Sequence, residues 1–247
     1  MEKEAYRQHF VLEEKFWWFS GRRRVIQSLL TSLKNGKGTS DAKRPSILDV
    51  GCGTGGMFQF FQTVGDVWGL DLSSEALFYC RKRNQVGRII QGSVLKLPFS
   101  EEKFDFVAAC DLFYHRSVQD DVAALRELYR VCRKEGHLLL TDSAFNFLKS
   151  PHDHFFHGIR RYTVKELKSK IEGSGFSIER ISYMNMMLFP FIYLWRKLRR
   201  NTGSDLRPIP RLLNCFLASL FAGEAQFLKY CNLPWGSSII CLAKKKG

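Results

Sequence analysis

The sequence predicts an α/β domain built on a mostly parallel, doubly wound sheet of seven strands with helices on both faces. Three observations carry that prediction. Short apolar strands alternate with helical stretches from Ser46 onward, which joins successive strands through crossovers. A glycine-rich turn, Gly51-Cys52-Gly53-Thr54-Gly55-Gly56, follows the first of those strands. The length of 247 residues suits one large domain with a modest accessory segment.

In chain order, the first 30 residues read as helical and carry the cluster Phe16, Trp17, Trp18 and Phe19. Asn35 to Pro45 reads as a Gly/Ser/Lys-rich linker before the core. Ser46–Val50 is a short apolar strand, and a helix starts at Gly56. Asp66–Leu70 is a second strand, and Ser73 caps the next helix with Glu75 in its first turn. Arg88–Gln91 and Phe104–Ala109 are the third and fourth strands. Gln119–Cys132 is a helix with Val122, Leu125, Leu128, Tyr129 and Cys132 along one side. His137–Thr141 is a fifth strand. Thr163 caps a helix over Val164–Gly173, Phe176–Tyr183 is a sixth strand and Ser238–Ala243 the last. The expected organisation is a helical cap and linker (1–44), a core (45–183), a helical insertion (184–236), and a final strand with a basic tail (237–247).

An apolar fraction of 45% supplies a real core and excludes a disordered chain. The formal net charge of +14 attracts nucleic acid, anionic membrane or acidic metabolites without choosing among them. Its dense runs, Arg22-Arg23-Arg24 and Arg196-Lys197 with Arg199-Arg200, read equally well as solvated faces. Seven Cys form no C-x-x-C pair and join no His at metal-ligand spacing, as expected of reduced, mostly buried residues in a cytoplasmic protein. His152, His154 and His157 offer no fourth ligand at a recognisable spacing, so no metal is expected. The charged start, Met1-Glu2-Lys3-Glu4, lacks the apolar run of a signal peptide, and export is not expected. The longest uncharged run, Ile181 to Trp195, contains Pro190 and falls short of the roughly 18 to 20 residues a membrane span needs.

The glycine turn carries the chemistry. Gly51, Gly53 and Gly55 let the backbone turn tightly and approach a ligand closely. Asp71, about 20 positions further on, ends the second strand where a carboxylate can accept both ribose hydroxyls. Gly51-x-Gly53-x-x-Gly56 also satisfies the dinucleotide fingerprint. Asp49, two positions earlier, argues against it: dinucleotide sites usually place an apolar residue there, and a carboxylate suits a cationic amino-acid moiety instead.

Between Ile47 and Thr141 the chain resembles the small-molecule class I methyltransferases of the UbiE/type 11 kind. The matching pieces are Leu48-Asp49-Val50-Gly51-Cys52-Gly53-Thr54-Gly55, Gly69-Leu70-Asp71-Leu72-Ser73, and Gly92-Ser93 leading to Leu97-Pro98-Phe99. They continue with Phe104-Asp105-Phe106-Val107, Asp111-Leu112-Phe113-Tyr114-His115, and Leu125-Arg126-Glu127-Leu128 running to Arg130-Val131. Phe16-Trp17-Trp18-Phe19 with Gly21 to Arg24, and Arg160-Arg161-Tyr162-Thr163, resemble a bacterial subgroup of the same enzymes. The resemblance implies a Rossmann-like fold and S-adenosyl-L-methionine as cofactor. Gly51, Cys52, Gly53 and Gly55 would pass under its methionine part with Asp49 near the ammonium. Asp71 would hold the ribose, Leu72 would pack on adenine, Ser93 and Val94 would flank the ring edge, and Asp111 and Leu112 would line the sulfonium side. Many relatives carry Asp at the position of Ser93, and a Pro-Gly-Gly turn where this chain has Arg133 to His137.

His115, His154 and His157 are the candidate bases, beside the alternative that His115 merely caps a strand end. Trp17, Trp18, Tyr114, Arg160, Tyr162 and Phe189 are the candidate substrate contacts. The expected reaction is methyl transfer to an oxygen or carbon of a largely apolar small molecule or lipid-like metabolite. The apolar run from Met184 to Trp195 with its basic flank also suits peripheral contact with a membrane, or simple packing. A nucleic-acid methyltransferase, suggested by the charge, lacks an Asn-Pro-Pro-Tyr-like tetrapeptide and any recognisable RNA-binding module. A non-catalytic scaffold of the same fold is the other rival. The oligomeric state is left open.

Overall fold

The computed structural model of the chain describes residues 3–34, 44–83, 88–198 and 205–247. Most of the expected linker at 35–45, and the basic pair Arg199-Arg200, lie outside the described residues.

Two helices precede the sheet, α1 (Lys3–Leu12) and α2 (Trp17–Lys34). Then strands and helices alternate: β1 (Ser46–Val50), α3 (Gly56–Gln62), β2 (Asp66–Asp71), α4 (Ser74–Lys82), β3 (Ile89–Gln91), β4 (Phe104–Cys110), α5 (Asp121–Val131) and β5 (Cys132–Ser143). The second half holds α6 (Pro151–Phe155), α7 (Val164–Gly173), β6 (Phe176–Met184), α8 (Phe189–Leu198), α9 (Arg211–Leu228) and β7 (Ser238–Lys245). The strand order is β3-β2-β1-β4-β5-β7-β6. All pairings are parallel except the two made by β7, which runs antiparallel between β5 and β6.

Alternate residues of each central strand feed opposite faces, because side chains in a strand repeat every two positions. Leu48, Val107 and Leu138 join the core under α5 and α7. Their neighbours Ile47, Phe106 and Leu139 join the core under α2, α3 and α9. Local capping sets the helix starts: the Ser73 hydroxyl accepts from Ala76 N at 3.3 Å, Asp120 from Ala123 N at 2.9 Å and Thr163 from Glu166 N at 3.2 Å.

The insertion folds back over the amino-terminal helices. Trp18 stacks on Phe221 with ring centroids 5.1 Å apart, and Asn214 Oδ1 accepts from Trp17 N at 2.8 Å. Gly21 makes the α2–α9 contact possible, since a Cβ there would stand 2.5 Å from Phe221 Cδ1. Among the described residues no helix is long and apolar enough to cross a membrane. The strand expected at His137 begins earlier, at Cys132, with Glu135 at φ 62 in the left-handed region.

Candidate active site

The carboxyl ends of β1, β2 and β4 open onto a cavity of about 1500 Å³, the position that open parallel sheets reserve for ligands. Its floor is the glycine turn. Gly51 (φ 71), Gly53 (φ 55) and Gly55 (φ 92) all adopt the left-handed region that favours glycine. Gly51 and Gly53 line the cavity; Gly55 does not, and instead forms the N-cap of α3. A Cβ on Gly51 would stand 2.8 Å from Leu112 Cδ1.

Carboxylates ring this floor. Asp71 is held rigidly, one oxygen accepting from Gly53 N at 3.0 Å and the other from Ser73 N at 2.8 Å. Asp49 is fully buried and its Oδ2 has no hydrogen-bond partner among the described residues. Burial first, then the nearby Glu13 carboxylate, pushes its pKa well above the usual range, against the pull of Arg22. A buried carboxylate oxygen without a partner calls for an explanation, and a cationic ligand group is the simplest one. Cys52, Leu72, Ser93, Val94, Asp111 and Leu112 also line the cavity. The Ser93 hydroxyl accepts from Leu95 N at 3.2 Å, closing its own turn.

The amino-terminal helices complete the floor. Tyr6, His9 and Glu13 line the cavity from α1 and the turn after it. Burial raises the pKa of the Tyr6 hydroxyl. Glu13 is buried, accepts from the Thr54 hydroxyl, and pairs with Arg83 at 3.5 Å. Arg83 in turn donates to Thr54 O (2.8 Å) and Phe10 O (2.7 Å), tying α1 to the glycine turn and to α4. These residues were not singled out from the sequence. Their spacing at i, i+3 and i+7 was the available signal.

Arg22 corrects the reading of its run as a solvated face. It is buried and paired with Asp111, while Arg23 donates to the carbonyls of Glu13 (2.7 Å) and Glu14 (2.6 Å), and Arg24 is exposed.

Beyond the polar floor the cavity turns apolar, walled by Trp17, Trp18, Phe19, Phe156, Leu188 and Ile192. Of the expected substrate contacts, Trp17, Trp18 and Tyr114 face it. The other three do not. Tyr162 is a buried strut whose hydroxyl reaches Phe113 O at 3.2 Å and Asp121 Oδ2 at 3.0 Å. Arg160 donates to Val118 O at 2.9 Å and pairs with Asp121 at 3.4 Å. Phe189 packs on Phe145, with centroids 6.1 Å apart, outside the cavity lining.

The histidines divide as well. His115 and His157 line the cavity with their rings stacked at 5.9 Å, whereas His154 is exposed and away from it. His115 Nδ1 sits 2.7 Å from the Ser117 hydroxyl and accepts from Ser117 N at 3.2 Å. Its Nε2 is buried without a partner among the described residues. Burial, reinforced by the positive charges of His157 and Arg116, lowers its pKa to about 4. His152, not chosen earlier as a site residue, also lines the cavity; its Nδ1 accepts from Asp205 N at 3.0 Å, and burial lowers its pKa to about 4.

Residues 48–140 match the family described as "Methyltransferase domain". The chain carries a class I methyltransferase domain. The matched segment contains the glycine turn, the buried Asp49 and the anchored Asp71 together. A malonyl-[acyl-carrier protein] O-methyltransferase of Hamiltonella defensa is 34% identical over 115 residues, covering 45% of this chain and 43% of that protein. A fatty-acid O-methyltransferase of Mycolicibacterium smegmatis is 33% identical over 109 residues, covering 42% and 39%. The chain thus aligns with less than half the length of these relatives. A SAM-dependent methyltransferase structure from Thermotoga maritima superposes with TM-score 0.56 at 18% identity, covering 98% of this chain and 99% of that one. The phosphoethanolamine N-methyltransferase 2 of Haemonchus contortus, solved with S-adenosyl-L-methionine, gives 0.56 at 19% identity, covering 90% and 52%. At those identities the superpositions establish the fold of the methyltransferase domain.

Proposed function

We propose that the protein is an S-adenosylmethionine-dependent methyltransferase acting on an oxygen or carbon of a largely apolar small molecule or lipid-like metabolite. The observation that carries this reading is the shape and chemistry of one continuous cavity. Its volume of about 1500 Å³ exceeds the roughly 300–1,000 Å³ of an ordinary small-ligand site, leaving room for cofactor and acceptor together. The polar end, with Asp49, Gly51, Gly53 and Asp71, suits the cofactor; the aromatic and aliphatic end suits the acceptor.

When bound, S-adenosylmethionine supplies a methyl group already activated on a sulfonium. The protein's work is then alignment and exclusion of water. Asp49 would face the ammonium and Asp71 the ribose hydroxyls. The aromatic cap from α2, clamped by α9, covers the acceptor end.

His115 indicates the acceptor's chemistry. With Nδ1 accepting from Ser117 N, the proton of the neutral ring sits on Nε2, and Nε2 becomes a donor. A ring whose pKa is about 4 is neutral near pH 7 but a weak base. Both facts favour an acceptor oxygen that is already ionised, such as a carboxylate or enolate, held by Nε2–H. Two of the relatives are O-methyltransferases named for a fatty acid and for malonyl-[acyl-carrier protein], and another is named for demethylmenaquinone.

The test is methyl transfer from radiolabelled S-adenosylmethionine to a panel of fatty acids, carboxyl-bearing acyl thioesters, hydroxylated quinones and bulk RNA. The expected result is labelling of an apolar acid or quinol, with His115→Gln about 10- to 100-fold lower in kcat/KM, the value of one hydrogen bond to a charged group. Labelling of RNA alone, with steep salt dependence, would replace this reading with the nucleic-acid one.

A further inference from the structure

We infer that the exposed face of α8 and the start of α9 docks on an anionic lipid bilayer, with the cavity mouth opening into it. No residue of α8 is buried. Phe191, Leu194, Trp195 and Leu198 recur at i, i+3, i+4 and i+7, one helical stripe, and all four are exposed, Phe191 and Leu198 at 72% each. On α9, Leu212 is 86% and Phe216 59% exposed, one turn apart, with exposed Leu213 between them. The two helices meet at the cavity, since Phe191, Leu194, Trp195, Leu198 and Leu213 also line it. The apolar surface is therefore continuous from the outside of the insertion to the acceptor end of the site. Patches of this kind mark interaction surfaces.

Charge selects the occupant. Lys197, Arg207 and Arg211 are exposed beside the stripe, and Arg207 stands at the cavity itself. Acidic residues are scarce on this face: from Phe189 to Leu228 only Asp205, paired with Arg196 at 3.1 Å, and the buried Glu224 are acidic among the described residues. The whole chain carries +14. Exposed Trp, Phe and Leu rimmed by Lys and Arg fit the boundary between acidic headgroups and acyl chains. A second copy of the chain would bring like charges together at the same rim. The docking stands whatever the acceptor proves to be.

The experiment is flotation of the full chain with vesicles of phosphatidylcholine alone, or with one-third phosphatidylglycerol, at low and high salt. The variants are Leu212→Ser/Phe216→Ser, which lie outside the cavity lining, and Lys197→Glu/Arg211→Glu. Wild type should float with the anionic vesicles and partition at least tenfold less onto neutral ones. The serine pair should reduce partition about tenfold or more, and the glutamate pair should remove most of the salt-sensitive part, roughly fivefold per charge. Circular dichroism and S-adenosylhomocysteine binding by both variants, matched to wild type, establish that the fold persists. Absence of flotation by folded wild type, or equal flotation by the serine pair, overturns the inference. A dimer in light scattering that the serine pair dissociates, without vesicle binding, would assign the face to a second copy instead.

Discussion

Replacing Gly56 by alanine probes the seam between the amino-terminal cap and the cofactor turn. A Cβ on Gly56 would fall inside the Glu13 side chain, which lies directly over the first residue of α3. Gly56 does not need a left-handed conformation, so the backbone tolerates alanine, and helix propensity alone favours the change by up to about 1 kcal/mol. Against that gain, Glu13 must leave its buried place and lose the bond from Thr54 and the pairing with Arg83. A hydrogen bond to a charged group is worth about 1.5–3 kcal/mol, so the net cost is about 1–2 kcal/mol. For a chain of this size that lowers Tm by roughly 3–6 °C. The assay is a double-mutant cycle in urea, with Glu13→Ala as the second change. In the Glu13→Ala background Gly56→Ala should be neutral or slightly stabilising; the propensity gain cancels in the cycle, giving a coupling energy of about 1.5–3 kcal/mol. Equal losses in both backgrounds, or a more stable single variant, would refute the idea that Glu13 seats the cap on the turn.

Two further outcomes follow from buried charge. Arg22→Met removes the partner of Asp111 from a buried pair and should cost about 3 kcal/mol in urea unfolding; a loss below about 1 kcal/mol would mean that solvent replaces the arginine. His152 titrates near 4 when folded and near 6.5 when unfolded, so the unfolded chain binds the proton first as pH falls. Its share of stability is intact above pH 6.5 and is lost between pH 6.5 and 4, up to about 3 kcal/mol. Asn in its place can still accept from Asp205 N, so His152→Asn should lose less stability between pH 7 and 4 than wild type; parallel pH profiles would contradict the assignment.

The strands were legible because buried parallel strands are short apolar runs, and Ser46–Val50, with Val164–Gly173 among the helices, have the bounds the sequence implied. The direction of β7 was not, since a connection of some 50 residues permits either sense. Gly51, Asp49 and Asp71 could be singled out because backbone conformation and charge at fixed spacing leave few alternatives, and all three line one cavity. The place of Arg22 was not legible because burial of a guanidinium depends on Asp111, 89 positions away, which no local pattern announces. Arg160 and Tyr162 were misplaced for the same reason in reverse: their partner Asp121 makes them struts between loop and helix, a role that sequence proximity to a ligand loop does not distinguish from substrate contact. Phe189 shows that a residue of an overhanging helix need not point inward.

The central claim is that Asp49, Asp71 and the glycine turn form an S-adenosylmethionine site. Calorimetric titration of the purified chain with S-adenosylmethionine, S-adenosylhomocysteine and NADH, repeated with Asp71→Ala, tests it most directly. The account predicts micromolar binding of the first two ligands, no binding of NADH, and loss of both sulfur ligands in the variant. Binding of NADH alone, or sulfur-ligand binding that survives Asp71→Ala unchanged, would contradict it.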